Sequence, residues 1–536
     1  MPTPRAHGGA PIFPIPLVSP GFYGLNKQEE NSILGPEWST KLNNAVIDDT
    51  GRLGARKGFQ SLTTSPVAEA IEQTFEYVKS DGTTEQISST DADIYSGTTV
   101  PASIDGALTI TDGNWQFQNF VEKCVGFQEG QTPIIYSGVN FAAITVDTDG
   151  TIPTGGVGLS AFGRIWVTTS SGHTIRYCDI LDETIWDDAT APGDAGAIYM
   201  QRIWPKGTDT ITAIVAHNGQ LIVFGREQIV IFDNSGGAAD GVDPSATDFR
   251  VVDTISSVGC VSRDSVRAVK GDLWFLSEYG VISLGRLIQE KSAPMAAVSK
   301  QIQDHLIRYI NTEMSTDGLG TIRAEYSAKD RLYILSFPQQ SRSFAFDTTG
   351  LTQEGAARVS EWTVAPTAMS YRRDESFVFS LGSITGELGS YAGYLDDGEP
   401  YMFEYESGWL EMSEDVATYL KILKRIKSVL QSASAGEVMY KWWWDFDSTF
   451  RSHSVTFEGD AIDEWGLMEW NDGNISGGET VLDDEYEWSG GMRLRSFHIP
   501  GSGTGQYLKV GVSAEINGAT LGLQQLDIVS KIGRYA

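Results

Sequence analysis

Leu221-Ile222-Val223-Phe224 and Ile229-Val230-Ile231-Phe232, joined across Gly225-Arg226-Glu227 and Gln228, decide the fold. Two apolar runs of strand length on either side of a glycine turn read as a β-hairpin, and the lack of polar alternation marks it as buried on both faces. Paired segments of this kind recur along the chain. Phe75 to Val78 goes with Ile94-Tyr95, Phe117 to Val121 with Ile134 to Tyr136, and Arg164 to Thr168 with Ile175 to Cys178. Leu273 to Leu276 goes with Val281 to Leu284, Leu332 to Phe337 with Ser343 to Phe346, and Ser376 to Leu381 with Ser390-Tyr391. Turns such as Ser170-Ser171-Gly172 and Glu278-Tyr279-Gly280 punctuate them. Their starts lie roughly 45 to 60 residues apart, the spacing of four-strand propeller blades. A sheet apolar on both faces buries both only by stacking on neighbours around an axis, so the residues predict an all-β chain built on a propeller of about six or seven blades. A two-sheet sandwich gives the same periodicity, which reports strands and not their closure. Neither a repeated Trp-Asp dipeptide nor a kelch pattern is present.

Outward from this region the rhythm changes. Val298, Ile302, Leu306 and Ile310 recur every four positions, so a helical insertion is expected near residues 297–314, with His305 beside its apolar stripe as a structural histidine. From residue 401 to 536, longer runs (Tyr401 to Leu410, Tyr440 to Phe446, Ser454 to Phe457, Met492 to Ile499, Tyr507 to Val512 and Leu523 to Val529) predict a C-terminal antiparallel β-sandwich or barrel. Tyr419 to Val429 fits either a helix or a strand. Residues 1–20 carry six of the 19 prolines, which fix φ and remove donors, so an extended N-terminal arm precedes a propeller spanning 21–400. Ile12, Phe13, Pro14, Ile15, Pro16 and Leu17 make that arm apolar enough to dock, on a neighbour or on the chain's own body.

Composition narrows the function. With 39 Lys plus Arg against 70 Asp plus Glu, the formal net charge of the 536 residues is −31. A protein that grips nucleic acid through phosphates needs a basic face, and none is offered globally. Three widely spaced cysteines make neither a disulfide framework nor a zinc site. No signal peptide is expected, and nowhere do about 18 apolar residues run together as a membrane span requires.

Catalytic signatures are missing as well. There is no HExxH, no GxSxG elbow and no GxxxxGK[ST] loop, and Gly501-Ser502-Gly503-Thr504-Gly505 precedes a strand and reads as a hairpin turn. No catalytic, cofactor or metal residue is therefore expected, Asp81-Gly82 and Asp147-Thr148-Asp149-Gly150 being explained by turn chemistry. A carboxylate pair on a propeller would suit glycoside hydrolysis, but the many acids single out no pair. The densest acidic stretch, Glu458 to Trp488, holds eleven acids and no Lys or Arg, among them Asp463, Glu464, Glu469, Asp472, Asp483, Asp484 and Glu485. A solvated loop accounts for such a run, as does an acidic lumen or tip anchored by Trp465, Trp470 and Trp488. Trp442-Trp443-Trp444 fits a sugar platform or a strand buried on both faces.

One passage carries a family likeness. Gly24-Leu25-Asn26, Leu34-Gly35-Pro36-Glu37-Trp38, Leu42-Asn43-Asn44-Ala45-Val46 and Thr50-Gly51-Arg52-Leu53-Gly54-Ala55-Arg56-Lys57-Gly58-Phe59 follow one another. In this order they resemble the opening of tail nozzle proteins of short-tailed bacteriophages (podoviruses), also called packaged-DNA stabilisation or tail hub proteins. Pro36-Glu37-Trp38 stands where that family has small residues. Tyr177-Cys178-Asp179 with Leu181-Asp182-Glu183 and Trp186-Asp187, and Gly259-Cys260-Val261 with Asp264-Ser265-Val266 and Gly271 to Leu276, are similar to its blade edges. The likeness runs from about residue 20 to about residue 290, with Trp409, Lys421 and Arg425 beyond.

The resemblance implies a structural virion protein, located in the tail after assembly in the host cytoplasm. Its copies would form a homo-hexameric ring below the head-to-tail adaptor protein, extend the DNA channel, retain packaged DNA and conduct it during ejection. Tail fibre or spike proteins, and a plug, are the other partners implied. On this reading the arm docks on the adaptor or an adjacent subunit, and the acidic stretch lets DNA slide without sequence-specific binding. The rival readings are a β-propeller glycosidase or depolymerase and a sugar-binding propeller.

Overall fold

The computed structural model describes residues 12–18, 20–32, 34–47, 52–147, 150–186, 195–233, 249–291, 297–316, 319–352, 355–381, 386–411, 419–432, 436–457 and 493–535. The fold is all-β. The described residues form two compact units, one drawn from Met1–Gln60, Arg358–Trp362 and Ala392–Ala536, the other from Ser61–Ala357 and Thr363–Tyr391. Residues 21–60 thus group with the C-terminal portion, where the sequence placed them at the head of the propeller.

Among its described residues the larger unit carries antiparallel strands in seven successive sheets, the sixth being the end of a ten-stranded one. Their leading strands are Gln73–Val78, Gln116–Phe120, Gly158–Ala161, Ile211–His217, Arg267–Val269, Arg323–Ser327 and Pro366–Tyr371. Each lies beside the leading strand of the next sheet, with one exception: the fourth meets the short 3-10 turn Arg263–Ser265 that feeds the fifth. The last leading strand lies beside the first. The Arg373 amide donates to Glu76 Oε2 (2.6 Å) across that junction. The segment entering the first sheet also returns to the last one, where the Leu62 amide donates to the Leu388 carbonyl (2.8 Å) and Ile71 packs with Ala368, Val378 and Leu388.

The opening hairpin shows why each sheet is apolar on both sides. Leu221, Val223, Val230 and Phe232 pack towards Trp166, Ile175 and Tyr177 of the third sheet, while Ile222, Phe224, Ile229 and Ile231 pack towards Phe275 and Ile282 of the fifth. Alternate residues of a strand point to opposite faces, so one hairpin serves two cores. Each such side chain is worth about 1.5–3 kcal/mol when fully buried.

Two of the expected pairs need correction. The partner of Gln73–Val78 is Thr84–Ser89, with Ile94–Ser96 one strand further out, and Gln116–Phe120 pairs with Lys123–Phe127 before Ile134–Tyr136. The tight first hairpins explain the second case. At the corner between first and second strands, Val121, Phe162, Asn218, Lys270, Arg331 and Glu375 all take positive φ, from +50° to +65°. Such hairpins need left-handed residues to match the strand twist.

The expected helix is present as Gln303–Ser315, between the fifth and sixth sheets, with Val298, Ile302, Leu306 and Ile310 all buried. His305 stands edge-on to Tyr309 and Phe344 at 5.1 and 5.7 Å. A second helix, Leu284–Glu290, follows the fifth sheet and starts at Ser283, whose Oγ accepts from the Arg286 amide. Asp272 fixes the same turn by accepting from the Gly285 amide (2.8 Å) and the Ser283 hydroxyl (2.5 Å).

Among its described residues the smaller unit draws on two sheets. In one, Tyr419–Ser432 lies between Arg493–Pro500 and Leu521–Tyr535, which resolves the open helix-or-strand reading in favour of a strand held by two ladders. Ile12–Val18 pairs antiparallel with Leu521–Tyr535. The other sheet runs Trp38–Asn43, Tyr401–Ser407, Leu508–Ile516, Gly436–Trp444, Arg451–Phe457. Gly21, at φ +68°, has Ser39 and Tyr405 of this sheet and Leu53 of the first all within 3.0 Å of the place a Cβ would take, so no larger residue fits.

Candidate functional site

The family-like N-terminal passage builds one site in the smaller unit. Arg56 is 1 % exposed; its Nη1 and Nη2 donate to Asp396 at 2.8 and 2.5 Å, its Nε donates to Asn44 Oδ1 at 3.0 Å, and its guanidinium lies 4.2 Å from the Tyr401 ring centroid. A buried arginine is tolerable only when its fork is filled in this manner. Asn44 is itself fully buried and donates to the Met402 carbonyl (2.8 Å). Gly58 passes under Leu395, whose carbonyl oxygen lies 1.9 Å from where a Cβ would sit. The Asn44, Arg56 and Gly58 spacing is therefore a structural lock.

A second polar site lies in the larger unit, where the leading strands converge. The 3-10 turn carries Asp264 into the interior, 5 % exposed, and Arg263 (Nη2, 3.0 Å) and Arg323 (Nη1, 3.3 Å) close on it. Both guanidiniums also donate to Asn114 Oδ1, at 2.9 and 3.2 Å. Arg263 reaches the Gly156 carbonyl (2.6 Å), and Arg323 Nε reaches the Glu72 carbonyl (3.2 Å). Elements of the first, second, third, fifth and sixth sheets are thus tied at one point. Burial by itself would raise the Asp264 carboxyl, but the two guanidiniums outweigh it and hold the group below the ordinary carboxylate range. The turn is fixed by Tyr333, whose hydroxyl donates to the Ser265 carbonyl (2.8 Å), and by Ser265, whose hydroxyl donates to the Ser262 carbonyl (2.7 Å). A cavity of about 370 Å³ borders the network, lined by Gln73, Glu76, Gln116, Gln118, Arg267 and Glu325 among others.

Beside it, Glu72, Asp91 and Asp112 bring carboxylate oxygens within 4.8 Å of one another. The Glu72 carboxyl is raised, by burial first and then by Asp91. An all-oxygen trio of this kind suits a shared proton or a hard cation. The three cysteines are buried and chemically quiet: burial pushes Cys178 up to about 12 and Cys260 up to about 11, and raises Cys124 further.

The residues singled out from sequence fare differently. For Ile12, Phe13, Pro14, Ile15, Pro16 and Leu17 the backbone is placed, as a strand on Leu521–Tyr535. Asp463, Glu464, Glu469, Asp472, Asp483, Asp484 and Glu485 lie outside the described residues. The exposed tryptophan platform is overturned: Trp442, Trp443 and Trp444 are 3, 9 and 8 % exposed, and Trp442 and Trp444 both donate their indole N–H to the Ser502 carbonyl. Among the described residues no helix is long and apolar enough to cross a membrane. Arg263, Arg323 and Asn114 were not anticipated; the one local signal is Ser262-Arg263-Asp264-Ser265, charged residues just ahead of an apolar sheet.

Residues 163–398, under half the chain, match the family model described as Phage_stabilise, the β-propeller of bacteriophage P22 Gp10. The matched span is similar to a phage structural protein with a propeller fold. No curated protein matches the chain. Among solved structures, the extracellular domain of BT4673 from B. thetaiotaomicron, described as a two-component system, is similar at TM-score 0.40 and 11 % identity, over 77 % of this chain and 57 % of that one. PorZ of the type-IX secretion system of Porphyromonas gingivalis gives TM-score 0.34 at 10 % identity, over 75 % and 46 %. Kluyveromyces lactis Hsv2 gives 0.29 at 12 %, over 55 % and 98 %. This chain spans a little over half the length of the first of these, and TM-scores this low carry no functional argument.

Proposed function

We propose that the chain is a subunit of a phage tail nozzle, with a seven-bladed propeller and a second β-rich unit, assembled as a ring that continues the DNA channel below the adaptor, retains packaged DNA and lets it pass on ejection. The observation that carries this reading is the match of residues 163–398 to the phage stabilisation propeller family. Three features support it. The seven sheets follow one another with the last beside the first. Asn44 and Arg56, from the passage that carried the nozzle likeness, make the lock with Asp396. The net charge of −31 disfavours tight phosphate contact, so DNA slides past.

On this reading the propeller is a structural body and not a conduit, because the Arg263–Asp264–Arg323 network ties elements of five sheets together at the border of the cavity that the leading strands line. The channel is formed between subunits. Fibres or spikes and a plug attach to the ring. Imaging the purified chain by electron microscopy tests this directly: closed rings of about six copies are expected, and a protein that stays monomeric at high concentration contradicts it.

A further inference from the structure

We infer that the N-terminal strand is exchanged between neighbouring copies: Ile12–Val18 of one chain completes the sheet of the next by pairing with its Gln525–Lys531. The inference rests on the ring reading and names the contact that links its members.

The ladder is fully specified. Seven consecutive pairs run antiparallel, from Ile12 opposite Lys531 to Val18 opposite Gln525. Pro14 and Pro16, two residues apart, remove backbone donors from one side of the strand only. With that side outward the inner ladder keeps all its donors, and the outer edge cannot seed a further strand. The arm is therefore a terminal cap that pairs once, with whichever copy presents the matching edge.

The joint permits exchange. Residues from Gly21 onward are held fast: Gly21 has no room for a side chain, Tyr23 donates its amide to the Glu37 carbonyl (3.0 Å), and Arg358 lies 4.5 Å from the Phe22 ring centroid. Only Ser19 and Pro20 separate this anchor from the strand. Exchange of such a strand loses no contact, since the swapped ladder repeats every bond of the unswapped one. Once a ring has formed, a neighbour's edge is present at high effective concentration, and each exchanged strand fastens one copy to the next.

The test uses the full chain with cysteine pairs at the two ends of the ladder, I12C/K531C and V18C/Q525C, oxidised after assembly. Cys124, Cys178 and Cys260 are buried and do not compete. Exchange predicts that most cross-linked chains run as covalent multimers on a non-reducing gel, for both pairs. Cross-links confined to single chains, in a sample that light scattering shows to be a ring, overturn the exchange and leave the ring reading intact. A monomer before oxidation overturns both. Failure of either pair to cross-link contradicts the register and with it the exchange.

Discussion

The guanidinium of Arg56 meets the carboxylate of Asp396 in a two-point pair at 2.8 and 2.5 Å, across 340 residues of sequence. It joins the segment after the arm to the C-terminal portion of the same unit. Truncating one partner of a buried pair strands the other charge, so Asp396→Ala is expected to cost about 3–5 kcal/mol. Asp396→Asn should cost less, because it keeps the side-chain volume and one of the two acceptor oxygens. Denaturant unfolding of the two variants measures the difference.

The central network of the larger unit makes a pH prediction. Asp264 has a folded-state pKa below its unfolded value, so its contribution to stability is complete above the ordinary carboxylate range, about pH 4, and is lost as the pH falls through the lower folded value. Glu72 is raised, so it works in the opposite sense: it contributes below the ordinary range and loses that contribution as the pH climbs through the raised value. Asp264→Asn should lower stability at neutral pH and remove part of the loss on acidification. Glu72→Gln should stabilise the fold at neutral pH. Thermal melts between pH 3 and 8 would show both signs.

Val121 sits at φ +53° and is 62 % exposed, at a corner where other sheets place Asn218-Gly219 or Lys270-Gly271. A β-branched residue is strained there. Val121→Gly removes strain of about 1–2 kcal/mol, offset in part by the unfolded-chain entropy of glycine, so a net gain of about 1 kcal/mol is expected in the unfolding free energy.

How much of this could be read in advance depended on whether the signal was local. Leu221 to Phe232 announces its hairpin because both strands and the turn lie within a dozen or so positions. Thr84–Ser89 was overlooked because Thr-Glu-Gln-Ile-Ser-Ser looks like a loop, and Ser88 and Ser89 are buried in a sheet that only the fold assembles. The helix Leu284–Glu290 hid behind its apolar start, its cap depending on Asp272 from a neighbouring strand. Asn114, Arg263 and Arg323 meet across 149 and 209 residues, a separation no local pattern encodes. The Asn44 and Arg56 lock was visible as a motif, though not as a contact.

The acidic stretch yields a functional prediction. Replacing Asp463, Glu464, Asp483 and Asp484 together with Lys should slow DNA release from particles, more so at low salt, because cations near the path hold phosphates. Ejection followed by dye release at two ionic strengths checks it; unchanged kinetics would remove that stretch from the conduit.

The most direct measurement is electron microscopy of virions carrying a tag on this chain. Tag density is expected in a six-fold ring on the tail axis, immediately below the adaptor. Density off the axis, or on the capsid surface, would contradict it.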